Sequence, residues 1–171
     1  TGNDFIIFEN REEKESELYV VQIKEIGDRK FGIGADGLML LNNKAGFDFE
    51  MSYYNSDGKP GSMCGNGGRC MVQFAMDMGI MRTVYSFLAV DGKHEAESDM
   101  HNIIRLKMQD IREAEQHSGH AILNTGSPHY IKFTSDVRHI DLIKKAHEIR
   151  YSDKYKKKGI NVSLAETREE G

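Results

Sequence analysis

Short apolar runs and alternating apolar and polar residues predict a series of β-strands along the first 112 residues. Two runs, Phe5–Phe8 and Leu38–Leu41, are apolar throughout, as buried strands are, whereas the stretch from Phe47 to Tyr53 alternates and predicts a half-buried strand. Val20–Ile23 fits either a strand or one side of a helix. Further strands are predicted around and after the hairpin turn Asp91-Gly92, at Phe87–Val90, His94–Ala96 and Ile104–Met108.

The segment Met71–Met78 has the pattern of a buried helix. Its apolar residues form one helical face that includes Cys70 and Phe74, and Val72 lies on the opposite face. A helix that is apolar all round is a buried one, so Cys70 is predicted to be a core residue. Gly79 is a natural position for the left-handed residue that ends a helix.

The chain changes character near residue 112. Residues 110–119 are polar and predict a linker, after which three strands and a helix (Leu142–Ile149) are expected; the strands are Ala121–Leu123, Tyr130–Phe133 and Ile160–Leu164. Glu169-Glu170-Gly171 resembles a hairpin turn whose second strand is not among these 171 residues. Thr1 stands where an initiator methionine is expected. We predict an α/β (α+β) fold, with a whole domain at residues 1–112, and a linker and the start of a truncated second domain at residues 113–171.

Composition and charge narrow the class of protein. The net charge of −4 comes without a basic stripe, so nucleic acid is not expected as a partner. No apolar run approaches the ~20 residues of a membrane helix, and no signal peptide is visible. The spacing between Cys64 and Cys70 suits neither a zinc site nor a redox pair. We therefore expect no membrane contact, no bound metal and a reduced, cytoplasmic location.

The glycine loop Gly32-x-Gly34-x-x-Gly37 matches the dinucleotide-binding fingerprint by its letters. That fingerprint needs a helix after the loop, whose N-terminus binds the pyrophosphate, and an acidic residue about 20 positions later. Here a strand follows at Leu38–Leu41, and the acidic residue is not in its place. A tight loop between two strands is therefore preferred over nicotinamide binding.

The segment Cys64-Gly65-Asn66-Gly67-Gly68-Arg69-Cys70 carries the candidate chemistry. It places a thiol at the N-terminus of the predicted helix, and its glycines leave backbone N–H groups uncovered, so that an anion can approach closely. A carboxylate can bind there without an arginine, and the positive end of the helix favours the thiolate form of Cys64. The alternative, an inert buried thiol, does not account for the small residues around Cys64.

Other polar motifs are ambiguous by themselves. Asn3 and Asn55 can each be a simple turn residue, and Ser127-Pro128-His129 can belong to a hydrolase site or can merely pack and cap. A cysteine hydrolase, with Cys64 as nucleophile and His129 as base, is kept as a rival. It requires the thiolate within about 3.2 Å of an imidazole.

Six motifs, taken in order, resemble the diaminopimelate epimerase family. The Cys-Gly-Asn-Gly block that begins at Cys64 is the specific one, and the resemblance extends over the whole chain. The other five are Thr1-Gly2-Asn3-Asp4-Phe5, Gly32-Ile33-Gly34-Ala35-Asp36-Gly37, Asn55-Ser56-Asp57-Gly58, Gly126-Ser127-Pro128-His129 and Gly159-Ile160-Asn161-Val162. The resemblance implies two similar domains, each a mixed sheet wrapped around a central helix, with the substrate in the cleft between them.

The resemblance also implies a site and a reaction. It makes Cys64 one of two catalytic thiols and places Gly65 and Asn66 at the reacting α-carboxylate. Substrate-binding positions of the family are matched by Asn3, Asn55, Ser127 and Asn161. The implied reaction is the epimerisation of LL- to meso-diaminopimelate, in lysine and cell-wall precursor synthesis, with two thiols as base and acid and no pyridoxal phosphate, metal or other cofactor. The expected partner is a small amino-acid substrate, and a homodimer is compatible with the resemblance.

The sequence departs from the family pattern in three respects. Ser127 stands where the family often has asparagine, and Gly37 stands where some members have glutamine. The second cysteine and a Glu-Arg pair are expected beyond Gly171, so these 171 residues are predicted to be inactive alone. Two further alternatives stay open: another two-thiol racemase or isomerase of the same fold, proline racemases included, and a non-catalytic ligand-binding relative.

Overall fold

The computed structural model describes residues 2–12, 18–101, 103–111 and 113–167. The chain divides into two compact units, Thr1–Met108 and Gln109–Gly171. The division therefore falls four residues before the boundary expected at residue 112. The predicted turn at Glu169-Glu170-Gly171 and the first residue, Thr1, lie outside the described residues.

The first unit is built on a six-stranded mixed sheet with the strand order β1-β2-β3-β4-β5-β6. Its strands are β1 (Phe5–Glu9), β2 (Gly37–Asn42), β3 (Phe49–Asn55), β4 (Val84–Ala89), β5 (Gly92–Ser98) and β6 (Ile104–Leu106). The pairs β1/β2 and β3/β4 are parallel, and the other neighbouring pairs are antiparallel. The strands predicted in this unit are confirmed, including the hairpin that turns at Asp91-Gly92.

Two helices cover the two faces of this sheet. The central helix α2 (Gly65–Asp77) packs against β1, β2, β3 and β6. Because β1 and β6 are the two edges of the sheet, the sheet must curl around α2 to bring both edges into contact with it. On the opposite face, α1 (Val20–Gly27) packs Ile23 against Leu38 and Leu40. A mixed sheet wrapped around a central helix is thus confirmed, and the segment beginning at Val20 is a helix.

The prediction that Cys70 is a core residue is wrong, because its side chain is exposed. The buried residues of α2 form one stripe at helical spacing: Gly67, Gly68, Met71, Val72 and Ala75. Cys70 lies outside this stripe, on the side of the helix where Gln73 donates a hydrogen bond to Asp77 at 3.0 Å. The helix is therefore amphipathic rather than apolar all round. It ends as predicted at Gly79, whose φ is +86°.

The second unit contains a four-stranded sheet with the order β10-β9-β8-β7. Its strands are β7 (Ala114–His117), β8 (His120–Asn124), β9 (Pro128–Phe133) and β10 (Asn161–Ala165). The polar linker expected at residues 110–119 is wrong, because β7 forms there and pairs with β8 in antiparallel register. The predicted helix is confirmed as α3 (Leu142–Arg150); Asp141 caps it by accepting a hydrogen bond from the Lys144 N–H at 3.0 Å.

Candidate active site

Cys64 occupies the N-cap of α2, where the chain passes from extended backbone into the helix. Its φ and ψ are −113° and 119°, and its carbonyl oxygen accepts a hydrogen bond from the Gly68 N–H at 2.8 Å. The side chain is half-buried and makes no capping hydrogen bond. The thiol therefore lies at the positive end of the helix, as the sequence predicts, and remains accessible.

Close packing requires glycines after Cys64. A Cβ at Gly68 would lie 2.6 Å from Met63 Cε and 2.9 Å from Leu106 Cδ2. At the neighbouring Gly67 it would lie 3.1 Å from Met39 Sδ. The first turn of α2 therefore sits directly on the core, while the N–H groups of a first helical turn have no acceptor within the helix itself. The lack of side chains at Gly67 and Gly68 thus lets the start of α2 pack closely against the core.

A chain of hydrogen bonds orders the side chains next to Cys64. Arg69 Nη2 donates to Asn66 Oδ1 at 2.5 Å, and Asn66 Nδ2 donates to Asn3 Oδ1 at 2.8 Å. Asn3 Nδ2 then donates to Asp36 Oδ2, also at 2.8 Å. Because a cation stands at one end and a carboxylate at the other, each amide can donate in one direction only, which fixes the orientation of both asparagines.

Arg29 holds the far end of this chain in place. Its guanidinium donates to both carboxylate oxygens of Asp4, at 2.9 and 2.7 Å, and to Asp36 Oδ1 at 2.8 Å. The Asp36 backbone N–H also donates to Asp4 Oδ1, at 3.1 Å. The hydrogen bonds from Arg29 and a smaller contribution from the Asp36 N–H lower the pKa of Asp4 to about 2. One arginine therefore ties the glycine loop to the segment that carries Asn3.

Asn55 lies at the end of β3, opposite Gly37 at the start of β2. Its backbone N–H donates to the Lys59 carbonyl at 2.9 Å, which closes the turn after the strand. A Cβ at Gly61 would lie 3.2 Å from Asn55 Oδ1, so the amide oxygen lies beside this second glycine. Asn55 is therefore a turn residue and also presents its side-chain amide at the surface of the sheet.

Two candidate residues meet in the second unit. Asn161 Nδ2 donates to Ser127 Oγ at 3.1 Å, and Ser127 Oγ lies 3.2 Å from His129 Nε2. The contact arises because Asn161, the first residue of β10, is in parallel register with His129 on β9. Ser127 precedes β9, in a bend that Gly126 allows with a φ of +103°.

The structure groups the sequence-derived candidates by unit. Gly65 and Asn66 lie with Cys64 at the start of α2, and Asn3 is hydrogen-bonded to Asn66. Asn55 lies in the six-stranded sheet of the first unit, whereas Ser127 and Asn161 contact each other in the second unit. The charged residues of this hydrogen-bond chain, Arg29, Asp36 and Arg69, are not among the candidates predicted from the sequence. Asp36 lies in one of the motifs that resemble the family, but only the tertiary pairing of β1 with β2 brings it to Asn3.

The structure also bears on the chemistry of alternative sites. Among the described residues of the first unit, no histidine hydrogen-bonds to Cys64; the buried His94 pairs instead with Asp91, with 2.8 Å between Nε2 and Oδ1. The described ranges contain no group of three side chains able to hold a metal ion. Nor does any helix within them have the length and apolar character needed to cross a membrane.

Comparison with known proteins points to one family. The family model for diaminopimelate epimerase matches residues 1–110. The diaminopimelate epimerase of Flavobacterium psychrophilum is 44% identical over 164 residues, which cover 96% of this chain and 64% of that protein. The enzyme of the same name from Chlorobaculum tepidum is 39% identical over 172 residues, covering 96% and 66%. The chain thus spans about two thirds of the length of these relatives.

Solved structures support the same architecture. A PhzF-family phenazine biosynthesis protein from Bacillus anthracis superposes with a TM-score of 0.58 at 12% identity, over 78% of this chain and 50% of that protein. A hydroxyproline epimerase from Agrobacterium vitis, solved with bound trans-4-hydroxy-L-proline, gives 0.51 at 12% identity, over 75% and 44%. At such low identity these likenesses show the fold alone, and they confirm the predicted fold class. From the family match and the close relatives, the chain belongs to the diaminopimelate epimerase family.

Proposed function

We propose that the protein is an isomerase that interconverts LL- and meso-diaminopimelate, with Cys64 as one of two thiols that move the α-proton. The names of the close relatives support the substrate. The observation that carries the chemistry is the position of Cys64, half-buried at the N-cap of a helix that begins with glycines. We propose further that the reaction serves lysine and cell-wall precursor synthesis in the cytoplasm.

Proton removal and carboxylate binding take place at the same helix end in this proposal. The backbone N–H groups of Gly65 and Asn66 bind the α-carboxylate, because the start of a helix attracts anions. The Cys64 thiolate takes the proton from the α-carbon, and the electron pair of the broken C–H bond is delocalised into the carboxylate. Donors that already point at this carboxylate stabilise the growing negative charge without any cofactor.

Inversion requires a proton from the opposite face of the α-carbon. Cys70 does not fit this role, because it is exposed on the outer side of α2. We propose that the second thiol comes from residues outside these 171, so that one thiol delivers a proton as the other removes one. The proton count is unchanged over a turnover, and the two thiols exchange roles with the direction of the reaction.

The remaining candidates bind the substrate in this proposal. Asn3 acts beside Asn66, and the fixed direction of their hydrogen bonds keeps both amides from rotating. Asn55 and Asn161 take the distal amino-acid end, and Ser127 is a further substrate-binding residue. Ser127 is held by Asn161, so the shorter side chain at this position still has a defined orientation.

The test is solvent deuterium uptake at the α-carbon, followed by NMR from each stereoisomer in the full-length protein. Cys64→Ser should lower exchange and inversion at least about a hundredfold, because a hydroxyl is a much weaker acid than a thiol and supplies little base at neutral pH. Cys70→Ser is the matched control and should retain the unsubstituted rates, since its thiol is exposed on the far side of the helix. Unchanged exchange in Cys64→Ser would contradict the proposed role of Cys64.

The full-length protein and its variants also separate the rival functions. Another racemase of this fold would exchange the α-proton of a different amino acid, such as proline, and leave diaminopimelate unchanged. A ligand-binding relative would bind diaminopimelate without exchange in the unsubstituted full-length protein. A cysteine hydrolase would depend on His129 as strongly as on Cys64, so His129→Ala should abolish its activity.

A further inference from the structure

Tyr53 lies on the face of β3 that is directed towards α2. Its ring packs against the main core, and its edge meets Phe5 in a T-shaped contact with ring centroids 6.0 Å apart. In the sheet it stands opposite Met39, whose Sδ would be 3.1 Å from a Cβ at Gly67 in the first turn of α2. The Tyr53 side chain therefore occupies the part of the sheet that lies under the start of the helix.

The ring is held in a slot between two glycines. A Cβ at Gly37 would lie 2.4 Å from Tyr53 Cε2 and 2.8 Å from its hydroxyl oxygen. A Cβ at Gly61 would lie 2.4 Å from both Cδ1 and Cε1 of the ring. A side chain at either position would displace the tyrosine, so the ring fits closely between the backbones of the two glycines. The hydroxyl is thereby placed beside Gly37 of β2, and Tyr53 itself lies on the same strand as Asn55.

The Tyr53 hydroxyl has no partner in the part of the chain that the structure describes. It forms none of the observed hydrogen bonds, and it is not among the fully buried polar atoms that lack one, which are His94 Nδ1 and Ser98 Oγ in the described ranges. Its oxygen is therefore not fully buried. Burial raises the pKa of Tyr53, and electrostatic interactions with Cys64 and Asp36 raise it further, so the phenol remains a hydrogen-bond donor.

We propose that Tyr53 is a further substrate-binding residue, whose hydroxyl donates a hydrogen bond to a carboxylate oxygen of the amino-acid substrate. The inference rests on the proposed function, because it assumes that the substrate lies at Cys64. A fixed donor without an acceptor among the described residues is free to donate to the ligand, and carboxylates are the strongest acceptors that an amino acid offers. The positive end of α2 draws a carboxylate to the same place.

The first experiment compares Tyr53→Phe with Tyr54→Phe in the full-length protein, using diaminopimelate as the probe. Tyr54 is the control because it lies on the opposite face of β3, against Ile23 and Leu38. Tyr53→Phe should raise KM about tenfold to a hundredfold, the range expected for a lost hydrogen bond to a charged group, with kcat nearly unchanged. Tyr54→Phe should leave both values unchanged.

A second measurement separates binding from folding. Because the hydroxyl makes no hydrogen bond within the described structure, Tyr53→Phe should leave the melting temperature unchanged while weakening calorimetric binding of diaminopimelate to the Cys64→Ser protein by the same factor. Unchanged KM and binding in Tyr53→Phe, with normal exchange in the unsubstituted protein, would overturn this inference alone. Absence of α-proton exchange in the unsubstituted protein would overturn the proposed function and this inference together.

Discussion

The two units differ sharply in how they use their helices. In the first unit α2 buries five residues inside a curled sheet, whereas none of the described residues of α3 in the second unit is buried. Among the described residues, the buried apolar side chains of the second unit are Ala121 and Ile160, and all the others belong to the first. The unit that carries Cys64 thus contains a core of its own, and the unit that carries Ser127 and Asn161 contains almost none.

This difference shows where the geometry of the candidate site is determined. The position of Cys64 follows from contacts inside the first unit, because Gly67 and Gly68 press the helix end against Met39 and Leu106. The contact between Ser127 and Asn161 depends instead on strand pairing in a sheet with little apolar cover. The orientation of the thiol should therefore resist perturbation far better than the cluster in the second unit.

The largest expected effect comes from expressing the units separately. Residues 1–108 should fold cooperatively and give a dispersed amide NMR spectrum, because they keep their central helix and all six strands of the first sheet. Residues 109–171 should show no cooperative transition, because so little apolar area is buried there to offset the conformational entropy of the chain. A sharp thermal transition in residues 109–171 would contradict the inference that the second unit has almost no core of its own.

A smaller effect should follow from truncating one ring in each unit. Phe87 is fully buried and stacks on Phe49 with centroids 4.9 Å apart, so Phe87→Ala should lower the free energy of unfolding by about 3–5 kcal/mol. Tyr130 is only half-buried and stacks on His120 at 4.5 Å, so Tyr130→Ala should cost about 1 kcal/mol.

Amide hydrogen exchange in the full chain measures both losses, since each substitution should lower protection mainly in its own unit. The matched, milder change in the first core is Phe87→Leu, which keeps the site apolar and should cost less than Phe87→Ala. Equal losses for Phe87→Ala and Tyr130→Ala would mean that the second unit is packed as tightly as the first.

Elements with a clear apolar period could be predicted from the sequence. The alternation before Tyr53, the short apolar runs and the hairpin dipeptide each reflect burial on one face or a backbone requirement, and each element is present. The start of α2 could be placed because glycine-rich, polar Cys64-Gly65-Asn66 precedes an apolar stretch. The buried face was misjudged at Cys70, since a single cysteine is compatible with either side of an amphipathic helix.

Features that depend on distant pairing left no such signal. All four residues of β7 are exposed, so its strand character comes from main-chain pairing with β8 rather than from hydrophobic alternation. The chain from Arg69 through Asn66 and Asn3 to Asp36 joins residues up to 66 positions apart, which no local pattern records. In the sequence Tyr53 is one more apolar position of a strand, and only the structure shows that its hydroxyl has no partner among the described residues.

The smallest effect concerns the ion pair that ends this hydrogen-bond chain. The pKa of Asp4 is about 2, below its ordinary value of 3.8, because Arg29 donates to its carboxylate. The ion pair therefore contributes stability that is fully present above pH 3.8 and is lost as the pH falls through about 2. Arg29→Gln should raise the pKa of Asp4 towards 3.8, and the stability between pH 2 and pH 4 should then depend less on this carboxyl.

Carboxyl NMR titration checks the shift directly, and the second unit offers the control. There the pKa of Asp136 is lowered chiefly by its hydrogen bond to His139 and then by the Arg138 backbone N–H, so Arg29→Gln should leave it unchanged. Because Asp4 is exposed, the gain is modest, but the substitution also frees Asp36 from Arg29 and loosens the anchor of Asn3. A pKa of Asp4 that stays near 2 in Arg29→Gln would show that backbone donors, rather than the arginine, set the geometry beside Cys64.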